Sequence, residues 1–447
     1  MKIVHVTAGA GGRLCGSCLH DNALVKSLQA RGCDAVLLPA YVPITTDEES
    51  VAVDRVVMGG VNVWLEQEVP LYRNLPWPLD RVVGNILDSR WLLGWLSGRT
   101  GSTRAVDLGP LTASTLAGEL GHQRKEVEKL ARWLAAEMRP DSVHLSNVLL
   151  VGLARMVKQA TGAKVVCSLS GEDVFVDQLP QDHRARVMDL LRERAADVDH
   201  FVALNERFAR FSAESLGIPV HRISVVHHGV DPAGFPPEAP DLVARRRSRN
   251  GRLVVGMLAR ACPEKGLEQL VRAIPSLLRP RDVEVLAAGA EVPAERRYLE
   301  HCLSVAAELG VADRFRWLGQ VDRPEKIRLL GAIDVFTMPT VHPEAKGLPV
   351  IEAMAAGVPV VASRHGSFPE LLDAEQAGLL HAPSDPVDLA RAIGRLLDDP
   401  DHAARCGRHG HARARSRHAP ERMAAGHMAI YERLLQGTGP STTPAGG

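Results

Sequence analysis

No stretch of this 447-residue chain approaches the ~20 consecutive apolar residues of a bilayer-spanning helix. The opening MKIVHVTAGAGG passes from an apolar strand straight into glycines and lacks the charged and apolar regions of a secretory leader. The expected compartment is therefore the cytoplasm, without a transmembrane segment, and a peripheral membrane contact stays open. Charge of one sign is equally missing. The 53 Lys and Arg balance 53 Asp and Glu, for a formal net charge of +0, so no whole-molecule field draws the chain to nucleic acid or an anionic surface. No nucleic-acid module shows its residue pattern either. Cysteine is sparse, with 7 scattered over the chain, an odd number that argues for reduced thiols rather than a disulfide framework. No repeat beyond recurring strand–helix units is present.

What the chain does have is length and turns. It is long enough for two sizeable cores, and 45% hydrophobic residues with 39 Gly and 29 Pro suit a turn-rich α/β enzyme. Lys2 to Ala8 reads as a buried parallel strand ending in Gly9, Gly11 and Gly12 before a helix from about Cys18 to Gln29. A glycine-rich turn feeding a helix start either cradles an anion with its orphan N–H groups or simply turns tightly. The following CGSCLHD carries Cys15, Cys18, His20 and Asp21. This spacing suits a redox pair or half a zinc site, yet no second CxxC exists, and a structural or acceptor-lining role is the other reading. From about 56 to 120 the rhythm is interrupted by a segment with Trp64, Tyr72, Trp77, Trp91 and Trp95, either core packing or a lid or acceptor platform. A helix is expected over about Glu119 to Met138, and strands over Ser142 to Leu145 and Lys164 to Leu169. The latter ends in Ser170, Gly171, Glu172 and Asp173, at the strand end where open α/β sheets hold ligands. The Pro-, Gly- and acid-rich stretch Asp231 to Asp241 reads as a linker.

The second half restarts the rhythm with the strand Leu253 to Leu258. Arg260 and Lys265 then flank a loop aimed at a helix start, a fork and a point charge suited to a diphosphate. The organising stretch is VFTMPTVHPEAKGLPVIEAMAAGVPVVASRHGSFPELL, from Val335 to Leu372. Glu344 and Glu352 lie eight positions apart, with Gly347 between them and Pro349 near the expected helix start. This places two carboxylates at the rim of a sheet, where a sugar nucleotide would suit them. A last amphipathic helix covers about Pro420 to Leu434 before a polar tail.

Arg260 with Lys265, and Glu344 and Glu352 followed by Ala353, Met354, Gly357, Pro359 and Val360, resemble the family 4 retaining glycosyltransferases of the GT-B fold. The likeness is strongest from about Leu253 to Leu380 and weaker through Gly11, Gly12 and the GVD at Gly229 to Asp231. It implies an α/β architecture of two Rossmann-like α/β/α domains facing across a cleft. Residues 1–231 would form the acceptor-side domain, 232–419 the nucleotide-sugar domain, 420–437 a helix packing back on the first domain, and 438–447 a disordered tail. It further implies that Arg260 and Lys265 neutralise the donor diphosphate, that Glu344 meets the sugar hydroxyls, and that Glu352 holds the ribose. Gly347 and Leu348, the backbone around Gly366, Ser367 and Phe368, and Gly11 and Gly12 complete the donor site. Cys15, Cys18, His20, Asp21, Ser170, Glu172 and Asp173 are the acceptor-side candidates. Ser170 stands where many relatives carry histidine, and His228 precedes GVD where they carry asparagine. The expected donor is a nucleoside-diphosphate sugar, UDP-linked in preference to GDP- or ADP-linked. The acceptor would be a small molecule, glycan or lipid-linked sugar. No metal or other cofactor is required. A sugar-nucleotide epimerase, a phosphorylase-like enzyme and a non-catalytic sugar-nucleotide binder are the alternatives.

Overall fold

The computed structural model describes residues 1–9, 15–69, 108–248, 252–279 and 281–437. Gly11 and Gly12, the aromatic positions Tyr72, Trp77, Trp91 and Trp95, and the tail from 438 lie outside the described residues. Trp64 is described and exposed.

The chain divides into two units. One holds Met1–His227 with Pro420–Gly447, the other His228–Ala419. In the first, strands β1 (Lys2–Thr7), β2 (Asp34–Pro39), β3 (Ser142–Leu145), β4 (Lys164–Leu169), β5 (His200–Ala203) and β6 (Ile223–Val225) form a sheet in the order β2-β1-β3-β4-β5-β6. Every described pairing is parallel. The near-continuous apolar runs of β1 and β4 follow, because parallel sheets are covered on both faces. The second unit repeats the plan with β7 (Leu253–Leu258), β8 (Val283–Ala288), β9 (Phe315–Trp317), β10 (Val335–Met338), β11 (Val360–Ser363) and β12 (Gly378–His381), ordered β12-β11-β10-β7-β8-β9 and again parallel. The order reverses at β7, which lies between β8 and β10. Loops leaving the carboxyl ends of β7 and β10 therefore diverge at a switch point, the place where open sheets bind ligands.

Three local expectations change. The helix expected over Glu119 to Met138 is broken: a short 3-10 turn, Gly118–Leu120, precedes an α-helix that begins at Arg124, and Leu134–Met138 widens into a π turn. The expected linker is packed, with Phe235 buried in the core of the second unit and His411 bonded to the carbonyl of Pro236 at 3.0 Å. The division between units falls at His227/His228 rather than after Asp231. The reason is a pair of bonds. Val230 N donates to the carbonyl of His418 at 2.9 Å, and the His418 ring meets the carbonyl of His228 at 3.0 Å.

The last helix, Pro420–Leu435, packs against the first, Gly16–Ala30, inside the first unit. Between them lies a buried polar cluster. His5 Nε2 sits 3.0 Å from Asp21 Oδ1. The His144 ring, 4.6 Å from that of His5, meets Tyr431 Oη at 2.6 Å and Ser168 Oγ at 2.8 Å. His427 lies 5.5 Å from His144 and 6.5 Å from His20, ring to ring. Burial, aided by the neighbouring imidazoles, holds His144 well below its usual range, and burial holds His427 down to about 4. Asp21 stays ionised, because His5, with His20 and Thr7, together outweigh the burial that would raise its pKa. The folded chain thus keeps His144 and His427 neutral where unfolded imidazoles near 6.5 take up protons. Their contribution to stability is whole above about pH 6.5 and is lost as pH falls toward 4. His427 alone should cost the fold on the order of 2 kcal/mol at pH 5. Thermal melts from pH 7.5 to 5, above the main carboxylate range, should hold level to about pH 6.5 and then fall; a flat profile throughout would overturn the neutral assignment.

Candidate active site

The residues singled out in the second half converge on the carboxyl ends of β7 and β10. Arg260 follows β7 by two positions, and Lys265 closes the 3-10 turn Pro263–Lys265 ahead of the helix Leu267–Leu277. Gly266 links turn to helix with φ +75°, and a Cβ there would lie 1.9 Å from the carbonyl oxygen of Pro339. Only glycine lets the Lys265 turn lie this close to the backbone leaving β10. Val341 N donates to the carbonyl of Glu264 at 2.9 Å, tying the two loops together.

Lys265 Nζ donates to Glu344 Oε2, a contact between loops 79 residues apart. The other oxygen of Glu344 accepts from the N–H of Lys346 at 3.2 Å and, more weakly, of Gly347 at 3.5 Å. Burial would raise the Glu344 pKa, but the Lys265 ammonium, with the N–H and the charge of Lys346, brings it down to about 2. Lys265 moves the other way, with burial outweighed by Glu344 so that its pKa rises. The pair is therefore ionised at any working pH. Arg260 Nη1 donates to Glu295 Oε1 at 2.5 Å. Each predicted diphosphate cation thus already has a carboxylate partner.

Gly347 caps the helix Leu348–Ala355, with Pro349 in its first turn as the sequence suggests. The loop at Gly366, Ser367 and Phe368 lies directly on Glu344. Ser367 N donates to the Glu344 carbonyl at 2.7 Å, and a Cβ on Gly366, whose φ is +60°, would lie 2.4 Å from Glu344 N and O. Ser367 and Phe368 are buried, and Leu348 is half-buried. Glu352, one turn into the helix, accepts from Lys326 Nζ at 2.5 Å, both side chains being buried.

Two partners escaped the sequence reading. Lys326 lies on the helix Arg323–Ala332, on the stripe with Leu329, Leu330 and Ile333, all buried. A lysine in an apolar stripe asks for a buried counter-charge, and that signal was readable. Glu295, at the end of the turn Pro293–Glu295, carries no such signal.

The acceptor-side candidates separate. His20 and Asp21 are buried in the polar cluster beneath the last helix. Cys18 is buried and Cys15 half-buried, both reduced. Ser170 donates its hydroxyl to Glu172 Oε1 at 2.5 Å and its N–H to Oε2 at 3.1 Å, closing the end of β4, and Asp173 starts the short helix Asp173–Asp177. Among the described residues no group of three or more His, Cys, Asp or Glu is placed to hold a metal ion, and no helix is long and apolar enough to cross a membrane.

Residues 240–413 match the model of glycosyl transferases group 1, and 102–233 that of glycosyltransferase family 4. The chain is 33% identical over 264 residues to the GDP-mannose-dependent alpha-(1-6)-phosphatidylinositol monomannoside mannosyltransferase of Mycolicibacterium smegmatis, covering 57% of this chain and 66% of that one. It is 31% identical over 264 residues to the lipopolysaccharide core biosynthesis mannosyltransferase LpcC of Rhizobium leguminosarum bv. viciae, covering 59% and 71%. The chain belongs to the GT-B glycosyltransferases. It spans just under two thirds of the first relative's own length. The GT-B fold is matched along nearly the whole chain by sucrose-phosphate synthase of Thermosynechococcus elongatus, at TM-score 0.71, 19% identity and 98% and 100% coverage. HepE of Anabaena in complex with UDP gives TM-score 0.66 at 19% identity and the same coverage.

Proposed function

We propose that this GT-B chain is a retaining hexosyltransferase of family 4 that moves a sugar from a nucleoside diphosphate to an acceptor hydroxyl. The observation that carries the reading is the ionised Lys265–Glu344 pair at the switch point of the second sheet, with Arg260 beside it on the β7 loop. Glu352 would hold the ribose and Glu344 the hydroxyls of the transferred sugar. In the transfer, the bond from the anomeric carbon to the diphosphate oxygen breaks while the acceptor oxygen bonds that carbon on the same face. The acceptor's proton passes to the leaving phosphate oxygen. Charge developing on the diphosphate is stabilised by Arg260, Lys265 and backbone N–H groups, the role preorganised cations and dipoles fill best. Excluding water from the site would limit donor hydrolysis.

Two donor bases deserve comparison. UDP is the expectation from sequence and the ligand of the HepE complex, whereas the name of the M. smegmatis relative specifies GDP-mannose. Calorimetry with UDP-, GDP- and ADP-sugars and the free diphosphates should show selective micromolar binding to one base. Glu352→Gln should weaken the matching free diphosphate about tenfold, as loss of a hydrogen bond to a charged group predicts. Unchanged affinity would remove Glu352 from the ribose. Donor turnover without acceptor would favour an epimerase, and tight binding with no turnover on any acceptor would favour a binding protein.

A further inference from the structure

The two cation–carboxylate pairs at the β7 and β10 loops differ in kind. The Lys265–Glu344 pair is enclosed: the side chains are 27% and 12% exposed, and Glu344 is also held by backbone N–H groups. The Arg260–Glu295 pair is open on one side, with Arg260 48% exposed and Glu295 18%. Arg260 sits just past β7 and Glu295 in the connection after β8, and these strands are hydrogen-bonded neighbours along their full length. Glu295 therefore holds a cation of the candidate site without belonging to the loop that carries Glu344 or the helix that carries Glu352.

We propose that Glu295 is a resident anion on Arg260 that the diphosphate of the nucleotide must displace, and that its return helps expel the nucleoside diphosphate once the sugar has left. This rests on the diphosphate reading of Arg260 given above. A guanidinium engages phosphate best through two parallel N–H bonds, and Nη1 is committed to Glu295 Oε1. A diphosphate arriving at the same guanidinium meets a carboxylate of like charge within a few ångströms, at a site too sheltered for full screening. Either the carboxylate swings away or the diphosphate binds against its repulsion. Both routes lower nucleotide affinity, and both reverse after transfer to favour departure of the charged product. Lys265, enclosed with Glu344, supplies the part of the site that does not exchange.

The test is calorimetry with UDP and GDP at low salt on the full chain, its Glu295→Gln and Arg260→Ala variants, and the double variant. Removing the resident anion should tighten the diphosphate that binds by about tenfold, a gain that a merely structural role for Glu295 would not produce. The double variant should bind as weakly as Arg260→Ala alone. If Glu295→Gln melts early, Glu295→Ala should show the same gain. Unchanged or weaker binding by both Glu295 variants, with binding lost in Arg260→Ala, overturns the exchange and leaves the diphosphate reading standing. Undiminished binding by Arg260→Ala overturns that reading, and the proposal with it.

Discussion

Lys265→Ala should lower sugar transfer by ~100-fold or more, the size expected when a contact of several kcal/mol to the leaving diphosphate is removed. Two effects act together. The transition state loses a cation at the atoms where charge develops, and Glu344 loses the ammonium that offsets its burial. With burial then unopposed by Lys265, the Glu344 pKa should climb from about 2. The acid limb of the pH–rate profile should therefore move to higher pH in the variant, which loss of the diphosphate contact alone would not cause. Single-turnover rates across pH separate the two effects. Transfer within a few-fold of the parent, with an unmoved acid limb, would exclude Lys265 from the reaction.

Lys326→Met should destabilise the second unit by about 3–5 kcal/mol, the usual cost of leaving one member of a buried ion pair without its partner. The Lys326–Glu352 pair bridges the helices Arg323–Ala332 and Leu348–Ala355, and methionine keeps the length of the lysine stem while removing the charge. Adding Glu352→Gln should restore much of the loss, because the remaining amide is neutral. Nucleotide affinity should stay low in the double variant. Urea unfolding of the three proteins provides the comparison. A single variant within 1 kcal/mol of the parent would show that the pair does not carry the contact between these helices.

Much of the fold was legible because parallel strands buried on both faces announce themselves as short apolar runs. Val335–Met338 and Val360–Ser363, both short apolar runs, bracket the Glu344 region as strands. The start of the Glu352 helix was legible from chemistry, since Gly347 and Pro349 leave few other conformations. The broken helix after Gly118 was not, because Gly121 looks like a tolerable interruption in sequence. In the fold, a Cβ at that position would lie 1.9 Å from the Ser114 carbonyl oxygen, so the chain turns there. The cations of the candidate site were legible as residue types, and so was Glu344, but the pairing of cation with carboxylate was not. Glu344 is 79 positions from Lys265, and Glu295 is 35 from Arg260, and only the sheet order brings these loops together. The burial of His20 and Asp21 was hidden for a related reason. A helix start beside a glycine turn suggests a ligand, whereas the last helix, more than 400 positions later, covers that face.

That covering helix also makes the first unit depend on an element that follows the second in sequence. The second unit is one uninterrupted stretch, 228–419, whereas the first is split by it and closed by Pro420–Leu435. Without that helix the second unit keeps all of its residues, whereas the first lacks the element that seals Leu24 and Leu28. A chain clipped between 419 and 435 would carry an intact second unit and an unsealed first one. Such a product would expose that apolar face to chaperones and proteases.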